Sequence, residues 1–154
     1  GIPIGAICLG MARAALDEVL SVVQEKTPQG SRRTLAHRPS VHLDVARADT
    51  EVSAARHWLH HVIEQAWDHA QTKPSTLDQR RILRAANNHA VGTAVRVIDR
   101  MYTIVGGTSV YETSSLQRHF RDVHVASQHM MVSESVMEVT GRILLGLDDQ
   151  GFGI

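Results

Sequence analysis

The chain holds a single cysteine, Cys8, in 154 residues, which excludes an intramolecular disulfide framework and a cysteine-built zinc site and fits a reducing compartment. Aromatic residues make up only 4% against 43% hydrophobic residues overall, so the core must be filled by Ala, Val, Leu, Ile and Met, the usual content of packed helices. An all-β domain would want more aromatics. There is no excess of either charge, sixteen basic residues facing sixteen acidic ones, which argues against a general binder of nucleic acid or of an anionic membrane surface. No apolar run approaches the length of a membrane span and no secretory signal pattern opens the sequence, so the expectation is a soluble, cytoplasmic protein. Lysine is scarce too: Lys26 and Lys73 stand beside fourteen arginines, a bias toward the planar cation suited to bidentate and phosphate contacts.

Only four prolines, Pro3, Pro28, Pro39 and Pro74, punctuate the chain, and long helices fit between them. The apolar spacing predicts a helix over 4–24, followed by a loop over 25–40 with a basic cluster of Arg32, Arg33, His37 and Arg38. Val41, Val45, Ala48, Val52, Ala55, Leu59, Val62 and Ala66 then alternate steps of four and three, the seam of a helix packed along its neighbours. Thr76 is placed to cap a third helix reaching about residue 104, which Gly106 and Gly107 end. A fourth helix is predicted from 113 or 114 to 147, with a possible break around 130–133, and 148–154 reads as a tail. The expected fold is all-α, an antiparallel four-helix up-and-down bundle in one domain over 1–154, with the 41–66 seam at its centre.

Ten histidines make metal binding the first chemistry to weigh. The candidate is His57, His60, His61, Glu64 and Asp68 on the second helix, with His57 and His61 on one face, but neither a His-Glu-x-x-His string nor a Glu-x-x-His pair occurs, so a solvated polar face is the better account. Cys8 lies among apolar neighbours and reads as a packing thiol. No nucleophile elbow, Walker loop or dinucleotide fingerprint is present.

The unusual stretch is Gly106-Gly107-Thr108-Ser109-Val110-Tyr111 followed by Leu116-Gln117-Arg118-His119-Phe120-Arg121-Asp122-Val123-His124 and on to His129. If helical, Gln117, Arg121, His124 and Gln128 share one face and Arg118, Asp122, Val125 and His129 the adjoining one. That polar face also fits simple solvation, with Arg118 and Asp122 as an ion pair.

A helix ending in Gly-Gly, a tyrosine four residues on, then Leu-Gln-Arg-x-x-Arg-Asp resembles the C-terminal helical domain of the acyl-CoA dehydrogenase superfamily. The stretches Gly5 to Leu20 and Ala54-Ala55-Arg56 resemble the same domain, so the resemblance covers nearly the whole chain. In those dehydrogenases a catalytic glutamate lies nine residues after the arginine, where this sequence has Met130. The histidine-bearing run from Arg121-Asp122-Val123-His124 to Gln128-His129 more closely resembles the flavin-dependent monooxygenases of two-component systems. That resemblance implies the C-terminal part of a longer chain whose N-terminal and β domains hold the rest of the site, so that the chain alone is inactive. It implies reduced FMN or FAD as cofactor, a separate flavin reductase as supplier, a homotetramer, and an aromatic or polycyclic substrate.

By the same resemblance, His129 is the catalytic group that donates a hydrogen bond near the flavin or takes a proton from a phenol, with His124 as its runner-up or support. Arg32, Arg33, Gly106, Gly107, Gln117 and Arg121 are the implied cofactor-binding residues, with no metal. A non-catalytic oligomerisation or binding bundle is the alternative, and an acyl-CoA dehydrogenase proper a weaker one because of Met130.

Overall fold

Residues 2–147 are described in a computed structural model; the tail expected over 148–154 lies outside them, as does Gly1. Five α-helices follow one another: α1 (Ile2–Glu25), α2 (Pro39–Ala70), α3 (Leu77–Val105), α4 (Ser115–Ser127) and α5 (Glu134–Leu144). Short 3-10 turns lie at Leu35–His37, Gly106–Val110 and Met130–Val132, and no strand forms among the described residues. Proline sits where its missing N–H is harmless, Pro3 in the first turn of α1 and Pro39 at the start of α2, as its fixed φ favours. Thr76 does cap α3, and it does so as half of a reciprocal box. Gln79 N–H donates to Thr76 Oγ1 at 3.2 Å, and Thr76 N–H donates to Gln79 Oε1 at 2.9 Å. Gly106, at φ 64°, ends α3 in a conformation that a side chain rarely adopts.

The predicted fourth helix is two helices, so the bundle has five rather than four. Side chains in the break compete with the helical backbone ladder. Ser127 Oγ donates to the His124 carbonyl at 2.7 Å, Ser133 Oγ to the Met130 carbonyl at 2.9 Å, and the His129 ring takes the Met131 N–H at 3.1 Å. Between them Val132 is buried and pins the break to the core.

The centre of the bundle is α3, not the 41–66 seam. The seam does bury Val41, Ala48, Val52, Ala55, Leu59 and Val62, but on one side only, and among the α-helices α2 packs chiefly on α3 and α1. α3 packs on each of the other four, because Ala85, Ala86, Ala90 and Ala94 let neighbours approach from several directions while Val91, Val97, Ile98 and Met101 fill the space between. Glu51 meets Arg100 at 3.1 Å and Trp58 meets His89 at 5.3 Å between ring centroids, so α2 runs opposite to α3. α1 runs with it: the N–H of Gly5 donates to Asn87 Oδ1 at 2.9 Å near one end and Lys26 reaches Val105 at the other.

A Cβ at Gly5 would stand 2.5 Å from Asn87 Oδ1 and 3.1 Å from Ala90 Cβ, so only glycine permits this approach. Cys8 is fully buried beside it in the core, where burial pushes the thiol pKa up and leaves an inert packing group. Among the described residues no helix is long and apolar enough to cross a membrane.

Leu59→Ala is expected to destabilise the fold by about 2–4 kcal/mol and Val52→Ala by somewhat less. Gly5→Ala is expected to lower it by about 1–3 kcal/mol through the displaced Asn87 amide. Urea unfolding followed by circular dichroism reads all three; losses under about half a kcal/mol throughout would contradict this packing.

Candidate functional site

The site implied by the sequence lies where α3 ends and α4 crosses back over it. Past Gly106 the chain makes a 3-10 turn held from inside by Ser109, fully buried, whose hydroxyl lies 2.6 Å from the Gly106 carbonyl and 3.1 Å from that of Tyr102. Lys26, just past the end of α1, donates to the Val105 carbonyl and to Thr108 Oγ1. With Arg38, Thr108 and Tyr111, these residues line an open groove whose floor includes Gly106 and Gly107. Nothing lies within 4 Å of where a Cβ would sit on either glycine, so a ligand can approach the turn closely, while the Gly106 N–H is spent on the Tyr102 carbonyl and the Gly106 carbonyl on Ser109. The groove therefore combines two cations, an unobstructed glycine turn and the exposed ring of Tyr111, a set that suits a phosphate-bearing, flat aromatic molecule.

Arg32 and Arg33 are exposed on the loop before α2, where Ser31 Oγ accepts from the Arg33 N–H at 3.2 Å. They do not line this groove; Lys26 and Arg38 are the cations that the fold brings to the Gly-Gly turn. Arg38 was visible in the basic cluster, whereas Lys26 had no signal beyond the rarity of lysine.

On α4, Gln117 is half-buried, Arg121 is exposed, and Arg121 Nε donates to Asp122 Oδ1 at 3.3 Å. Asp122 thus holds Arg121 rather than the Arg118 four residues back. His124 Nε2 lies 2.9 Å from Asp99 Oδ1 on α3, and its ring packs on Phe120 at 4.6 Å, which packs on Tyr102 at the same distance. Asp99 escaped the sequence reading because nothing local marks it; only the register of α4 on α3 brings it to His124. His129 does not share the α4 face assigned to it, since α4 ends at Ser127 and His129 is extended, at φ −69° and ψ 133°. Its ring turns back to the N–H of Met131, and Met130 beside it is 76% exposed.

Elsewhere, His57 spends its Nδ1 on the carbonyl of Ser53 at 2.9 Å, and among the described residues no three His, Cys, Asp or Glu side chains come together to hold a metal. His89 meets the edge of Trp58, and partial burial first and the Arg96 charge second push its ring pKa below the ordinary histidine range.

The helical bundle thus carries an open groove with two cations beside its glycine turn. The chain belongs to the family of acyl-CoA dehydrogenase C-terminal domains, whose sequence profile matches residues 2–134. It is 31% identical over 144 residues to an indole-3-acetate monooxygenase of Pseudomonas putida, a span of 93% of this chain and 37% of that protein. It is 25% identical over 163 residues to the oxygenase component of an FADH2-dependent resorcinol hydroxylase of Rhizobium sp., 98% of this chain and 40% of that one. The fold matches XiaF from Streptomyces sp., solved in complex with FADH2 and glycerol, with a TM-score of 0.89 at 21% identity over 96% of this chain and 38% of that one. The chain therefore spans less than half the length of these relatives.

A double-mutant cycle of Asp99→Ala and His124→Ala is expected to give a coupling of about 0.5–1 kcal/mol, because both side chains keep more than two-fifths of their surface in water. Additive losses in thermal unfolding would remove the pair from the site. His89 binds a proton less readily folded than unfolded, so its contribution to stability is whole above about pH 6.5 and declines as pH falls below that value. His89→Gln should flatten this acid limb of the stability curve, and an unchanged limb would contradict the shift.

Proposed function

We propose that this chain is the C-terminal helical domain of a longer flavin-dependent monooxygenase that oxygenates an aromatic or polycyclic substrate. The observation that carries this reading is the end of α4. Met130, at the place of the dehydrogenase glutamate, has no group to take a proton, while His129 beside it offers an exposed imidazole. The names of the similar proteins, an indole-3-acetate monooxygenase and a resorcinol hydroxylase component, support the same chemistry over fatty-acyl dehydrogenation.

Reduced flavin, FMN or FAD, when bound supplies the two electrons that let O2 place one oxygen atom in the product and the other in water. The chain's own residues bind and orient. The unobstructed turn of Gly106 and Gly107, with Lys26 and Arg38 lining the same groove, fits a flavin phosphate; Arg32, Arg33, Gln117 and Arg121 are the further contacts proposed for the cofactor. His129 moves or holds a proton at the reacting end, and His124, tied to Asp99, keeps α4 in register beneath it.

The exposed apolar side chains Val110, Tyr111, Val125 and Met130 fit cover by the N-terminal and β domains of the same protein and by other subunits of a homotetramer. Its working partner is a flavin reductase in the same cytoplasmic compartment.

With the full-length protein, reduced flavin and oxygen, His129→Ala is expected to cut product formation by about 10²-fold or more and to release hydrogen peroxide instead. Wild-type product yield without excess peroxide would remove His129 from catalysis. Arg32→Ala and Arg33→Ala are each expected to weaken flavin binding about tenfold, read by fluorescence titration. Unchanged affinity in both would leave that loop outside the cofactor site.

A further inference from the structure

The catalytic histidine proposed above sits outside any α-helix, so something must fix its ring, and the fold supplies that hold from α3. The half-buried side chain of Asn88 points one atom at two backbone carbonyls just beyond His129, 2.7 Å from that of Val132 and 3.2 Å from that of Ser133. Two acceptors facing one atom require that atom to be the amide nitrogen, whose two hydrogens serve both bonds at once. Inside the turn Val132 N–H donates to the His129 carbonyl at 2.9 Å, and Val132 is buried. The last bond closes on the ring itself: Met131 N–H donates to His129 Nδ1 at 3.1 Å. An N–H can donate only to a nitrogen with a lone pair, so the neutral ring carries its proton on Nε2.

We propose that Asn88 is a positioning residue that clamps the 129–133 turn and thereby presents His129 Nε2–H as a hydrogen-bond donor, to an oxygen acceptor in the site. This rests on the reading of His129 given above and decides between its two roles. Nε2, the nitrogen that the Met131 bond leaves open, already bears a proton, so it has no lone pair with which to deprotonate a phenol. The nitrogen that has one is engaged with Met131. Donation to a developing negative oxygen is the chemistry this geometry is built for.

The test uses the full-length protein and two readouts. Hydrogen exchange with mass spectrometry follows the amides of 129–133 in Asn88→Asp, which keeps the side chain's shape and loses both donors. Exchange there is expected to rise about fivefold or more, with the flanking amides of α3 within about twofold of wild type. Asn88→Ser, too short to reach both carbonyls, carries the same expectation if Asn88→Asp does not fold. Unchanged exchange over 129–133 overturns the clamp. The second readout is oxygenated product per O2 consumed, expected to fall about fivefold or more in the variant, toward that of His129→Ala, with KM for the aromatic substrate within about twofold. A loosened turn with wild-type yield overturns the positioning role. If the wild-type protein makes no oxygenated product at all, the monooxygenase reading fails, and the exchange arm still decides whether Asn88 holds the turn.

Discussion

Everything in this bundle depends on how closely α1 can approach α3. At Gly5 the two helices leave no room for a methyl group, and the buried Asn87 amide turns that closeness into a hydrogen bond to the backbone. Close packing gathers the dispersion contacts and apolar burial of Cys8, Ala12, Leu16, Val19, Ala94, Val97 and Ile98 into one continuous core. The alanines that permit the approach on one side of α3 also admit α2 on another, where Ala55, Leu59 and Val62 meet Ala86 and Ala90 in a second cluster. One small-sided helix therefore organises the rest.

Rigidity in α3 is also what places the polar chemistry. Its C-terminus delivers the glycine turn, its outer flank delivers Asp99 to His124, and an earlier turn delivers Asn88 to the segment after α4. Lys26 joins these from α1 by hydrogen bonds to the end of α3 and to the turn beyond it. Several of these residues sit on irregular backbone, and the glycine turn and the 129–133 turn are each tied to α3.

The helices themselves were legible because their signals are local. Proline at helix starts, Thr76 as a cap, Gly106 as a stop and the α2 seam are each read from a few adjacent residues, and each stands in the structure. The centre of the bundle was not legible in the same way. The cleanest run of alternating fours and threes belongs to α2, and such a stripe marks a helix buried on one side; the central helix carries a wider buried face, which takes in Asn87 and Thr93 and which no single stripe of apolar residues describes. The break at 130–133 was visible as a possibility, but its consequence was not, because moving His129 off the α4 face depends on side chains folding back on their own backbone. Asp99, Asn88 and Lys26 were missed for one reason: each acts at a distance of 25 to 82 residues in sequence, and no local pattern encodes that register.

The solitary thiol carries a consequence of its own. Cys8 is closed off on the line where α1 meets α3, so no alkylating reagent can reach it until that contact parts. Within residues 1–154 no second cysteine competes, so in this domain the rate of labelling is a clock for the opening of the core around Cys8, set there without any engineered probe.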